Sequence, residues 1–207
     1  MAAALPLLRY ADALPRSADL VVIGGGIIGA ATAFYAARAG LTAVILEKRP
    51  ALCTLTTPVS TGAFRLQFDN PEEIALVREG IDLFERFADV ADLPGYDIGV
   101  RQQGYLFCTT EETGMERQQQ WVTLQHGWGL DDVELLPGDE VRYRFPHVGP
   151  DVLQARYRAK DGWLKPKALT MGYARASGAT ICLETPATGF VKQGDRVIGV
   201  ETPRGPA

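Results

Sequence analysis

Gly24, Gly26 and Gly29 stand in the run Gly24-Gly25-Gly26-Ile27-Ile28-Gly29, and an acid, Glu47, follows 23 positions after the first of them. A glycine at the first place permits a tight turn. At the second it lets main-chain N–H groups approach a pyrophosphate, and at the third it lets a helix pack closely on a strand. N–H groups at a helix start have no partner within the helix and present the positive end of the dipole to phosphate. A carboxylate closing the next strand can accept hydrogen bonds from a ribose and repels a 2′-phosphate, which disfavours NADP. Lys48 and Arg49 beside it soften that repulsion. Three glycines alone also occur in ordinary turns, so the flanking elements decide whether this is a dinucleotide site.

Those elements have the required order. Residues 18–23 form an apolar, β-branched run suited to a parallel strand buried on both faces. Residues 27–39 are rich in Ala and free of Pro, with Gly40 placed for a left-handed cap, which predicts a helix. Residues 42–46 repeat the buried-strand pattern and end on Glu47. Strand, helix, strand is one βαβ unit. Residues 49–68, rich in Thr, Pro, Ser and Gly, read as a long loop. Asn70, Pro71 and Glu73 then form a helix start, and Ile74, Val77, Ile81, Phe84 and Ala88 recur at helical spacing in an apolar helix reaching residue 90. A strand is expected over 104–110 and a polar helix over 111–124. Residues 152–158 alternate as a half-buried antiparallel strand does. A helix over 167–176 and a strand over 180–183 follow. Two strands, 188–192 and 197–201, are joined at Gln193-Gly194-Asp195, and no further strand is expected after them.

Composition bounds the remaining classes. With 207 residues the chain has room for about one and a half domains. Its 46% apolar content describes a globular protein, and a net charge of −4 gives no bulk attraction to nucleic acid or anionic lipid. Cys53, Cys108 and Cys182 form no paired motif, and His126 and His147 have no partner at ligand spacing, so no metal is implied. Cys108 and Cys182 read as small core residues. No run is long enough to span a bilayer, and the Met1-to-Ala18 leader is a poor cleaved signal, so a cytoplasmic location is expected.

After Glu47 the chain does not continue into another βα unit but passes through residues 50 to 178, with an antiparallel layer, before a buried strand returns at Thr180. That layout favours FAD over NAD. The run from Asp19 through the glycines, the segment Ser60-Thr-Gly-Ala-Phe-Arg-Leu-Gln-Phe, the Gly104-Tyr-Leu-Phe strand and the Asp161-Gly-Trp-Leu-Lys-Pro turn together resemble the D-amino-acid oxidase superfamily, most of all its sarcosine oxidase and dimethylglycine dehydrogenase branch. The resemblance spans roughly residues 18 to 203.

What it implies is an FAD-dependent oxidoreductase acting on the C–N bond of a secondary or tertiary amine or amino acid. Gly24, Gly26, Ile28 and Gly29 would hold the FAD pyrophosphate, and Glu47 with Lys48 the adenosine ribose. Ser60, Thr61 and Gly62 would run beside the flavin, Ala187 would contact adenine through its main chain, and Arg65 would meet the substrate carboxylate. Guanidinium suits that last role because it binds carboxylate through two parallel hydrogen bonds. The implied fold is α/β: a Rossmann-like FAD-binding βαβ domain with parts of an inserted antiparallel α+β substrate domain, incomplete at its C-terminus. Its expected divisions are an extension (1–17), the βαβ unit and flavin loop (18–70), a mainly substrate-domain layer (71–160) and a return to the FAD-binding domain (161–207). Members of the family run well beyond this length, so the chain reads as an N-terminal portion that works with a C-terminal half or partner subunit. A nicotinamide-dependent dehydrogenase and a non-catalytic nucleotide-binding fragment are the alternatives.

Overall fold

The computed structural model describes residues 4–207; Met1, Ala2 and Ala3 of the expected extension lie outside them. In chain order the elements are β1 (Arg9–Tyr10), β2 (Leu20–Ile23), α1 (Ile27–Arg38), β3 (Ala43–Leu46), α2 (Thr56–Val59), β4 (Ala63–Phe64), α3 (Pro71–Glu85), α4 (Phe87–Val90) and β5 (Tyr105–Thr109). They continue with α5 (Glu112–Gly127), β6 (Glu134–Pro137), α6 (Gly138–Arg144), β7 (Gln154–Arg158), β8 (Gly162–Trp163), α7 (Pro166–Ser177), β9 (Thr180–Cys182), β10 (Gly189–Gln193), β11 (Arg196–Thr202) and β12 (Gly205–Pro206). The chain divides into two compact units. One holds residues up to Thr61 with Arg86–Gly99 and Lys165–Ala207; the other holds Gly62–Glu85 and Val100–Leu164.

The first unit is built on a parallel sheet of order β1-β9-β3-β2. Its inner strand β3 places Val44, Ile45 and Leu46 at 1% exposure or less, as its continuous apolar run predicts. The expectation of two-sided burial fails for β2. That strand is the edge of the sheet, paired among the described residues with β3 alone, and it leaves Ile23 half-exposed. Residues 9–10 are not a mere extension: β1 pairs in parallel with β9, and Ala11 N–H donates to the Ile181 carbonyl at 3.0 Å. Helix α1 lays Ala30, Ala33 and Phe34 against the core, and its Phe34 ring sits 5.2 Å from Tyr173 of α7. Its small residues permit that close approach. Gly40, at φ +80°, turns the chain toward β3 in the left-handed region that only glycine adopts freely. The expected hairpin is present as β10 and β11 around Gly194. A further strand, β12, pairs with β11, which corrects the expectation that none follows.

The second unit carries the antiparallel sheet β5-β7-β6 and the pair β4-β8. Alternation in 152–158 suggests one wet face, yet all five residues of β7 are buried. It is the middle strand, with α5 on one side, where Gln154 Nε2 donates to the Met115 carbonyl at 3.0 Å. On the other side lies an apolar cluster of Leu136, Val141, Val152, Ala155 and Tyr157. Cys108 is exposed, not a core residue as expected. The start of α3 is a reciprocal cap: Glu73 N–H donates to Asn70 Oδ1 at 2.8 Å, and Asn70 Nδ2 donates to Glu73 Oε2 at 2.9 Å. The helix expected to run on to residue 90 stops at Glu85, because Arg86, at φ −116°, leaves helical geometry before α4. Residues 86–99 therefore group with the first unit, not with the 71–160 layer. No helix among the described residues is long and apolar enough to cross a membrane.

Candidate functional site

The turn between β2 and α1 is shaped by its glycines in three different ways. Gly24 sits at φ +105°, a conformation costly for any residue with a Cβ. A Cβ on Gly29 would be driven into the Gly24 carbonyl oxygen and against Val22 Cγ1, so the helix can lie this close to the turn only without a side chain there. Gly26 caps α1 without a side-chain bond, and a Cβ on it would meet Thr57 Oγ1 at 3.4 Å. Ala30 N–H, bonded to the Gly26 carbonyl at 3.0 Å, is the first to close a helical ring. The N–H groups of Ile27, Ile28 and Gly29 therefore have no acceptor within the helix. A cavity of about 400 Å³ opens here, lined by Gly24, Gly26, Ile28, Gly29, Thr32 and Thr57 among others.

Glu47, 8% exposed, supports the turn from the end of β3. Its Oε2 accepts the Gly25 N–H at 2.8 Å and its Oε1 the Arg49 N–H at 2.9 Å. An ionised carboxylate has about four lone-pair sites, so two main-chain bonds leave capacity for a hydroxyl donor. Lys48 is exposed beside it. Ser60 closes α2, its N–H donating to the Thr57 carbonyl at 3.3 Å, and Thr61 follows it on the surface. Ala187 packs against the cluster of Val44, Leu46, Cys182 and Val200. Gly24, Gly26, Ile28 and Gly29 are thus brought together around one cavity, with Glu47 one bond away; Lys48, Ser60, Thr61 and Ala187 lie in the same unit but do not line that cavity.

Gly62 and Arg65 belong to the second unit. Gly62, at φ +71°, passes its carbonyl to the Leu164 N–H at 3.0 Å. The Arg65 guanidinium lies 5.0 Å from the Phe68 ring centroid and 5.3 Å from that of Phe107, and its Nε is buried without a hydrogen-bond partner. Its segment is fastened by Asp161, a fully buried carboxylate. Asp161 accepts from Leu66 N–H at 3.0 Å, Gln67 Nε2 at 3.1 Å and Arg158 Nη1 at 2.7 Å.

A family model described as FAD dependent oxidoreductase, the DAO family, matches residues 19–207. The chain belongs to this family. DAO-family relatives include human mitochondrial sarcosine dehydrogenase, 28% identical over 93% of this chain and 22% of its own length. The beta subunit of sarcosine oxidase from Arthrobacter is also 28% identical, over 97% of this chain and 51% of its own. Among solved structures, glycine oxidase from Bacillus cereus superposes with a TM-score of 0.81 at 28% identity, covering 92% of this chain and 52% of that enzyme. The chain therefore spans about half, or less, of the relatives it matches. The family's cofactor is FAD, and the nicotinamide reading gives way to it.

Several residues of this DAO-family chain take part in the site without a signal in the spacing of the sequence. Gly25, the middle glycine of the run, has no role in the spacing of the other three, yet a Cβ there would strike Leu52 Cδ2 and approach Glu47 Oε2 at 3.3 Å. Thr57 reaches back to the turn, its Oγ1 accepting the Ile27 N–H at 3.3 Å. Its place in a Thr-rich loop after the acid was the only signal. Arg156 and Asp161 become visible only once strands and turns distant in the chain are paired.

Proposed function

We propose that this chain holds FAD on the β2–α1 turn and serves oxidation of the C–N bond of a secondary or tertiary amine or amino acid. The observation that carries the cofactor part is the fit of Gly29 under the Gly24 carbonyl, which leaves an open, polar main-chain cradle at a helix N-terminus. In this reading Gly26, Ile28 and Gly29 meet the pyrophosphate through main-chain N–H groups, Gly24, whose own N–H is given to the Leu46 carbonyl at 2.8 Å, makes the turn that lets the phosphates approach, and Thr57 adds a hydroxyl. Glu47 keeps the turn in shape and takes ribose hydroxyls on its remaining lone pairs, with Lys48 at its side. Ser60 and Thr61 run beside the flavin, and Ala187 offers main-chain atoms to adenine. FAD, when bound, supplies the acceptor for a hydride leaving the carbon next to nitrogen.

Arg65 fixes the carboxylate of the amino-acid substrate. Its flat fork already rests on aromatic rings, and its unsatisfied Nε–H awaits an acceptor. The relative named as sarcosine dehydrogenase supports an amine donor. The relative named as a beta subunit, and the share of each relative covered, support action together with a further segment or subunit.

The test is flavin absorbance after desalting. The purified chain should stay yellow and Gly29→Ala should not; with the further segment or subunit supplied, N-methylglycine should bleach the bound flavin without oxygen where a 2-hydroxy acid does not. A folded chain that stays colourless in excess FAD would sink the cofactor assignment, and equal bleaching by both donors the amine one.

A further inference from the structure

The second unit contains a cavity of about 500 Å³ lined by Arg65, Arg117 and Arg156 together with Phe68, Phe107 and Trp121 among others. Arg156 is the informative member. It is 5% exposed, and its Nε and Nη1 are buried without a hydrogen-bond partner. Buried guanidinium groups are ordinarily paired, since an unpaired buried charge is among the costliest features a fold can carry. Strand register explains its position: Arg156 on β7 stands directly opposite Phe107 on β5, which holds the guanidinium carbon 4.7 Å from the ring centroid. The ring covers one face of the fork and leaves its in-plane N–H groups to seek an acceptor.

Arg65 lies against the same Phe107 ring, also with an unsatisfied Nε. Two cations share one partly enclosed space. Burial pushes the Arg156 guanidinium below its usual range, and proximity to Arg65 adds to this, while Asp69 and Asp161 oppose it. The acids nearby do not supply the missing acceptor. Glu73 is engaged with Asn70, and Asp161 with Arg158, Gln67 and Leu66. Asp69 lines the cavity, yet the Arg156 Nε and Nη1 have no bond to it.

We propose that this cavity is built for a small organic dicarboxylate, of which Arg65 takes one carboxylate and Arg156 the other. The proposal rests on the reading of Arg65 as the carboxylate-binding residue and narrows the substrate class to amines carrying a second acidic group. A monocarboxylate would satisfy one fork and leave the other orphaned.

Calorimetric titration of the chain with iminodiacetate (two carboxylates) and N-methylglycine (one), at fixed ionic strength, tests it. Iminodiacetate should bind at least about ten-fold tighter, the worth of one further charge-assisted pairing. Arg156→Gln should reduce that ratio to about one, and Arg156→Lys, which keeps charge without the fork, should fall between. The melting temperature of Arg156→Gln should not drop, because the change removes an orphaned charge; a merely structural arginine would lower it. Equal binding of the two ligands to the wild-type chain, or a preference that survives in Arg156→Gln, would overturn the proposal. Flavin absorbance on the same samples separates the two readings. Dicarboxylate binding without flavin uptake leaves this proposal standing and removes the oxidoreductase one, and flavin uptake with indifference to the second carboxylate does the reverse.

Discussion

Glu47 Oε2 accepts the main-chain N–H of Gly25 at 2.8 Å, so the acid that closes β3 is bonded to the turn that closes β2. The same carboxylate takes Arg49 N–H through its other oxygen, and both bonds are buried or partly buried. Glu47→Ala strands two donors, each worth about 1–3 kcal/mol when left unsatisfied, and is expected to lower stability by about 2 kcal/mol. Glu47→Gln keeps one acceptor oxygen and should lose about half as much. Thermal melts give the order, and flavin titration should follow it, with the alanine variant the weaker binder.

The glycines of the turn should differ in their tolerance of a methyl group. A Cβ at Gly29 meets a backbone carbonyl, which cannot move without displacing the turn, whereas a Cβ at Gly25 meets chiefly the methyl end of Leu52. Gly25→Ala should therefore keep flavin binding at a stability cost of about 1–3 kcal/mol from overpacking. Gly29→Ala should abolish flavin retention. Gly24→Ala has free space for its methyl but the wrong φ, and should cost about 1–2 kcal/mol through backbone strain alone. Fluorescence of released flavin, read beside the melts, separates the three; equal loss at Gly25 and Gly29 would contradict the steric assignment.

What could be read in the sequence was local. The glycine turn, α1 with its Gly40 exit, β3 and the Asn70–Glu73 cap each depend on residues within a few positions, and each is found where the pattern placed it. Whether β2 is an inner or an edge strand depends on what pairs with its other side, and its composition carries no record of that. The burial of β7 on both faces has the same origin: its alternation is real, but α5 covers the face that polar Gln154, Arg156 and Arg158 occupy. In the site, the glycines and Glu47 announce themselves through spacing. Asp161 holds Leu66 across 95 positions, and no short-range pattern reports such a bond.

Asp161 is fully buried and its carboxylate meets a guanidinium, a side-chain amide and a main-chain N–H. Asp161→Asn removes the charge facing the buried Arg158, and breaking such a pair costs about 3–5 kcal/mol. Arg158 keeps its second partner, Asp132, so a loss near the lower end is expected. Proteolysis should then cut first near the Arg65–Gln67 segment, which Asp161 anchors, and Arg65→Gln, which leaves the anchor intact, should not share that sensitivity.

Asp132 makes the fold of the second unit sensitive to acid. It accepts from Arg158 Nε at 2.7 Å and Nη2 at 3.0 Å, with Lys160 Nζ at 3.2 Å. Partial burial on its own would raise the carboxyl's pKa, but the two cations and their hydrogen bonds outweigh it and hold the group below its ordinary 3.8. Because the folded value is the depressed one, the unfolded chain takes up the proton first as pH falls. The stabilisation is therefore fully present above 3.8 and disappears as pH drops through that value toward the folded one. Asp132→Asn should cost about 1 kcal/mol at neutral pH, an amount suited to a pair that is still partly solvated. It should cost progressively less below pH ~4, until the variant and wild-type melting curves meet. Urea melts at steps of pH measure this directly, and a difference that stays constant through the acid range would show that the ion pair is not the source of the stability.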